Sequence, residues 1–159
     1  RDDEIRLRVP RERSSASKRL MDRSLLDTDI YSEILRGKSP QLLAVAQAYR
    51  EEHGIYHLSA SSVYEMVKGF QQAGRIDRID KLLLLLNAED VIDFDRELAV
   101  FAGRIHGELI RSGRDIGRID PMIAATAIRH GLTLVTGNTT HFQRIIDLGF
   151  PLQLANWRL

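Results

Sequence analysis

Four side chains in this sequence are of the types that bind hard cations, and each stands beside a short apolar run or at the start of a helical pattern. Asp27 follows "SLL", Glu65 lies within "ASSVYEMVKG", Asp120 precedes Pro121, and Asn138 comes two residues after Thr136 in "LTLVTGN". Carboxylates gathered at one place repel and desolvate one another, so such a set is unfavourable unless something positive sits among them. Mg²⁺ or Mn²⁺, which take oxygen ligands and retain waters, are the economical partners. Such ions polarise a phosphoryl oxygen, lower the pKa of a bound water and steady a leaving oxygen, which is hydrolytic phosphodiester chemistry.

Each residue also has a plainer reading. Asp27 before Thr28 suits a helix N-cap or turn, and Glu65 suits a solvated helix position. Asp120 followed by Pro121 suits an N-cap with proline at the first helical position, and Asn138 suits a turn. Asp29, two residues beyond Asp27, is expected to cap the helix that follows, with an outer-shell ligand the second reading, leaving Asp27 for chemistry.

These side chains need elements to aim them, and the apolar pattern supplies a set. Short runs at 24–26, 55–59, 91–94, 132–136 and near 152–154 read as strands. Between them lie helical patterns: a short helix to about Leu35, one from Ser39 and Pro40 to His53 closed by Gly54, and two separated by Gly74. A long helix capped by Asp95 carries Leu98, Ala99, Ala102, Ile105 and Leu109 on one face, another covers "GRIDPMIAATAIRHG", and a short one follows Asn138. Strands alternating with helices predict an α/β protein with a central, mostly parallel sheet of four to five strands covered on both faces. Ligands in such sheets collect beyond the carboxyl ends of the strands, which is where Asp27, Glu65, Asp120 and Asn138 fall.

The bulk numbers leave room for one domain. At 159 residues the chain suits a single core, and its 43% hydrophobic and 28% charged content is ordinary. The absence of cysteine excludes disulfides, thiolate zinc sites and cysteine nucleophiles, and fits a reducing cytoplasm. The longest apolar run, "LLLLL" at 82–86, is far below the ~20 residues of a membrane span. Residues 1–20 carry seven Arg/Lys and four Asp/Glu, which leaves the remainder with 16 basic against 18 acidic residues. A nucleic-acid partner would therefore be held by local fields rather than by a general basic surface. Residues 1–20 read as a poorly ordered extension with Met21 a natural start; a basic nucleic-acid arm is the alternative. Residues 21–159 read as the folded domain.

The stretches "LLDTDI", "SASSVYEMVKG", "IGRIDPMIAATAIRHGLTLVTGNTTHF" and "LQLANW" resemble, in order and spacing, the PIN-domain ribonucleases, and most closely the VapC toxins of toxin–antitoxin systems. The similarity spans residues 22 to 158. It implies a three-layer α/β/α PIN-like fold and Mg²⁺- or Mn²⁺-dependent endonucleolytic cleavage of RNA that leaves a 5′-phosphate and a 3′-hydroxyl. A cognate VapB-like antitoxin, a homodimer and a cytoplasmic location are implied too. The family's acids fall on Asp27, Glu65 and Asp120, and its fourth position, Asp or Asn, falls on Asn138. Thr28 and Thr136 match small hydroxyl residues beside those acids. A housekeeping RNA-processing nuclease of the same fold, or a module that binds RNA or a partner without cutting, are the alternatives.

Other constellations are weaker. His53, His57, His106, His130 and His141 lack zinc-like spacing. His141, one turn past Asn138, is a surface or capping residue that could also approach substrate. Lys68, Arg114 and Arg118 are candidates for phosphate contacts. The run "DKLLLLL" at 80–86 offers either a core helix or an apolar face for a second copy or an antitoxin.

Overall fold

A computed structural model of the chain describes residues 21–158. The readings made for residues 1–20 lie outside them. Five short strands, β1 (Ser24–Leu26), β2 (His57–Ser59), β3 (Asp90–Ile92), β4 (Thr133–Val135) and β5 (Leu154–Ala155), form one sheet in the order β3-β2-β1-β4-β5 with every pairing parallel. The helices are α1 (Thr28–Arg36), α2 (Pro40–His53), α3 (Ala60–Gln72), α4 (Ile76–Leu86), α5 (Arg96–Arg111), α6 (Ile119–Arg129) and α7 (Thr139–Asp147). The expected α/β/α architecture is present, with β3 and β5 displaced by a residue or two from the apolar runs that predict them.

Strand alternation divides the core. Leu25 and Leu134, register partners on β1 and β4, point into a cluster with Leu98, Ile105 and Leu109 of α5, Ile123 and Ala127 of α6, and Phe142 of α7. The next residues along, Leu26 and Val135, point the opposite way, into Ile30, Leu42, Tyr49, Leu58, Met66, Leu82 and Trp157. Tyr49 ties this second layer to the sheet, since its hydroxyl lies 2.9 Å from the amide of Ser24.

Several local signals act as the sequence suggests. Ser39 caps α2 ahead of Pro40 and Asp95 caps α5 through the amide of Leu98 at 2.9 Å. The leucine run behaves differently from a core helix: Leu82 is buried, while Leu83, Leu84 and Leu85 are 50%, 71% and 48% exposed. Among the described residues no helix is long and apolar enough to cross a membrane.

Candidate functional site

The sheet order changes direction at β1: chains leaving β1 and β4, which lie side by side, feed helices on opposite faces. A crevice opens at such a switch point beyond the strand ends. Asp27 is the first residue after β1, and its amide still donates to the carbonyl of Val135 on β4, 2.9 Å away. Packing around it leaves only 6% of the residue exposed. One carboxylate oxygen accepts from the amide of Thr28 at 2.8 Å and the other from the Thr136 hydroxyl at 2.7 Å. The Thr136 oxygen in turn accepts from the amide of Asn138 at 2.9 Å, so one buried hydroxyl joins the end of β1 to the loop after β4.

Asp27 is therefore the cap of α1, and Asp29 is not. The division of labour expected from the sequence is corrected: Asp27 serves as both the cap and the buried acid, because β1 ends at Leu26 and α1 starts immediately at Thr28. Burial, followed by the charges of Asp29 and Asp120, pushes the Asp27 carboxyl up to about 7, against the hydrogen bonds from Thr136 and Thr28. Asp120 is likewise raised, first by burial and then by the charges of Glu65 and Asp29, with His141 opposing. Asp120 lies in the first turn of α6 rather than at its cap, a place taken by Arg118 without a side-chain capping bond.

Glu65 reaches the cluster from α3, where its carboxylate accepts from the Thr28 hydroxyl at 2.7 Å. Asn138 precedes α7 and does not cap it through its side chain. Its amide lies 2.8 Å from Nδ1 of His141, which is 3.5 Å from the Asp120 carboxylate. A proton on that nitrogen would be donated to Asp120; without it, the nitrogen accepts from Asn138. His141 thus links the third acid to the fourth position, a contact closer to the site than the capping role its sequence position suggests.

Sequence reasoning misses the residue that faces Asp29. Arg158, beyond β5, places Nη1 3.3 Å from Asp29 and Nε 2.6 Å from Glu33, the latter 125 positions earlier in the chain. Asp29 also accepts from the amide of Gly137 at 3.1 Å, and its second oxygen is buried without a partner. A side chain at position 137 would run into both Arg158 and Asp29, so glycine there permits the close approach. No local pattern announces a pair this distant. Conversely the side chains of Lys68, Arg114 and Arg118 are exposed and make no hydrogen bond or ion pair among the described residues; Lys68 lies over the ring of Tyr64.

The acids form an open cluster. Among the described residues no three Asp, Glu or His side chains are already gathered into a cage for a metal ion. The set fits a hydrated cation nonetheless: it is all oxygen donors, the carboxyls of Asp27 and Asp120 are both raised, first by burial and then by neighbouring negative charge, and one oxygen of Asp29 lacks any partner. Mg²⁺ keeps several waters and needs only one or two carboxylates beside a substrate phosphate. From Thr28 and Glu65 an open groove of about 750 Å³ runs between α1 and α4.

A doubly covered parallel sheet with a buried carboxylate at its switch point and further acids around it places this chain among α/β proteins with an acidic cleft beyond the carboxyl ends of the strands. More specifically, the chain belongs to the PIN domain family, whose model matches residues 24–148. It is 30% identical over 122 residues to the tRNA(fMet)-specific endonuclease VapC of Shigella flexneri, covering 76% of this chain and 90% of that protein. The VapBC2 complex of Rickettsia felis, solved bound to a DNA fragment from its promoter, matches with a TM-score of 0.70 at 26% identity, over 84% of this chain and 98% of that one. FitAcB of Neisseria gonorrhoeae matches with a TM-score of 0.69 at 26% identity, over 84% and 97% of the two chains.

Proposed function

We propose that this protein is the toxin of a toxin–antitoxin pair: a Mg²⁺- or Mn²⁺-dependent endoribonuclease of the cytoplasm, held in check by a VapB-like antitoxin and working as a homodimer. The observation that carries this reading is the Asp27 carboxyl, buried and held by the Thr28 amide and the Thr136 hydroxyl at the switch point of a PIN-domain sheet. The similarity to a named tRNA endonuclease supports RNA as the substrate class.

Asp27, Glu65 and Asp120 would hold the cation, with Asn138 completing the shell or holding a weaker second ion. Once bound, the ion would ease deprotonation of the attacking water and neutralise charge building on the phosphate. The protein's own groups do the positioning. Thr136 and the Thr28 amide fix both oxygens of Asp27, leaving lone pairs on each for the ion. The Thr28 hydroxyl aims Glu65, and His141 steadies Asp120 and Asn138. In-line attack by water then yields a 5′-phosphate and a 3′-hydroxyl.

Asp27→Asn and Asp120→Asn should each abolish cleavage of RNA, tRNA(fMet) being the first substrate to try, and relieve growth arrest on expression, with circular dichroism unchanged. Products ending in a 2′,3′-cyclic phosphate, or full activity in excess EDTA, would overturn the mechanism. Light scattering on the purified chain checks the homodimer.

A further inference from the structure

The charge of the groove is opposite to that of the body around it. Residues 21–159 hold 16 basic and 18 acidic side chains, yet the groove is lined by Arg36, Lys38, Arg75, Arg78 and Lys81 against only Asp77 and Glu65. Arg75 is paired with Asp77 at 3.3 Å. Arg36, Lys38, Arg78 and Lys81 have no carboxylate partner among the described residues, although acids are plentiful elsewhere on the surface. Two of these cations come from the end of α1 and the residues after it; the other two lie three residues apart on α4 and so share a helix face. The walls face one another, and the half-buried ring of Phe70 lies on the floor between them.

Unpaired like charges crowded around one channel repel, so their net effect on folding is unfavourable. A polyanion laid between them would reverse that sign. The inner end of the same groove is Thr28 and Glu65, which belong to the acidic cluster. Those acids repel a phosphate backbone, so attraction must be supplied at a distance from the reacting atoms.

We propose that this groove is the track for the single-stranded RNA flanking the scissile phosphate, with Arg36 and Lys38 on one wall and Arg78 and Lys81 on the other taking successive phosphates while a base stacks on Phe70. The proposal rests on the ribonuclease reading and adds where the substrate runs and in which direction from the acids. Lysines and arginines that meet phosphates give affinity and a salt slope; an aromatic floor adds sequence-tolerant stacking. Energy gained along this track is remote from the chemistry and equal in the ground and transition states, so it holds the RNA near Asp27 and Asp120 without acting on the reacting atoms.

The test uses the full chain and a fluorescein-labelled single-stranded RNA of mixed sequence, with binding followed by anisotropy in EDTA over a salt series and cleavage followed separately in Mn²⁺. Each phosphate left without its cation lowers the log–log salt slope by about 0.7 and the affinity about fivefold at ~0.1 M salt. Arg78→Gln combined with Lys81→Gln, and separately Arg36→Gln with Lys38→Gln, should each lower the slope by about 1.4 and weaken binding about 25-fold at that salt. In cleavage the deficit should fall on KM rather than kcat. Phe70→Leu should weaken binding without changing the slope. Double variants that bind the RNA with wild-type affinity and slope would overturn the proposal and leave the groove to a protein segment. Failure of the wild-type chain to cleave any RNA, with binding still sensitive to both double variants, would overturn the nuclease reading while the RNA track stands.

Discussion

Asp27 carries opposing demands in one carboxyl group. As the cap of α1 it satisfies the Thr28 amide, and as the buried end of β1 it receives the Thr136 hydroxyl, both of which favour the charged form. Burial and the nearby charges of Asp29 and Asp120 outweigh them and hold its pKa at about 7 rather than 3.8. Because the folded-state pKa is raised, ionisation costs stability as pH rises from about 4 to about 7, and the cost is complete above that window. Asp27→Asn keeps both hydrogen bonds, since the amide oxygen accepts from Thr28 and the amide nitrogen can donate to the Thr136 oxygen. Without divalent ions it should therefore stabilise the protein by about 1–3 kcal/mol at pH 8, a rise of about 2–4 °C in Tm per kcal/mol, and change it little at pH 4. Thermal melts at the two pH values check this; equal effects at both would show that the carboxyl is not strained. If Asp27 holds the proposed cation, the ion displaces the same proton, so Mn²⁺ affinity measured by titration calorimetry should fall about tenfold per pH unit below about 7. The residue types and neighbourhoods of the four site positions are legible in the sequence; the roles of Asp27 and Asp29 are not. Which of two aspartates caps a helix depends on where the strand stops, a matter of one residue, and the partner that makes Asp29 distinctive lies at Arg158.

The elements hold the acids in place through hydroxyl groups at their junctions. Thr136 is fully buried and joins the Asp27 carboxylate to the amide of Asn138, so it locks the exit of β1 to the start of α7. Thr136→Val preserves shape and leaves both partners unsatisfied, which should cost about 1–3 kcal/mol in urea unfolding and lower kcat through displacement of Asp27. Ser59 plays a plainer part: its hydroxyl accepts from the Ser62 amide at 3.0 Å and caps α3, the helix that carries Glu65. Ser59→Ala should cost about 1 kcal/mol while cleavage per folded molecule stays near wild type, which separates capping from site geometry. At this scale much is readable in the sequence. Ser39 with Pro40, Gly54 and Asp95 mark helix ends by chemistry that acts within a few residues, and the apolar runs mark the strands. The fate of the leucine run is not, because five identical residues have no period: only packing against Phe70 and its neighbours decides that Leu82 is buried and that the next three face outward.

The whole molecule is close to neutral, and its charge is sorted rather than abundant. Acids converge where β1 and β4 end, and cations without a carboxylate partner among the described residues line the groove leading there. Two apolar layers on either face of the sheet, together with the helix starts that aim the site residues, arise from residues 21–158. Residues 1–20 bring seven Arg/Lys against four Asp/Glu, a field of the sign that attracts RNA. Groove and leading segment are therefore rival sources of whatever salt-dependent affinity the protein has, and deletion separates them. A chain beginning at Met21 should unfold cooperatively with Tm within a few degrees of the full chain, because the core it needs is intact. If the groove supplies the cations that meet the phosphates, the shortened chain should also keep its salt slope and its KM for RNA. A slope lowered by about 0.7 for each phosphate no longer neutralised, with kcat unchanged, would instead assign that part of the affinity to the basic leading segment. Either result also bears on how the acids work, since a near-neutral body with a removable basic segment can hold a polyanion over a cluster of carboxylates only if the attraction comes from beside the site.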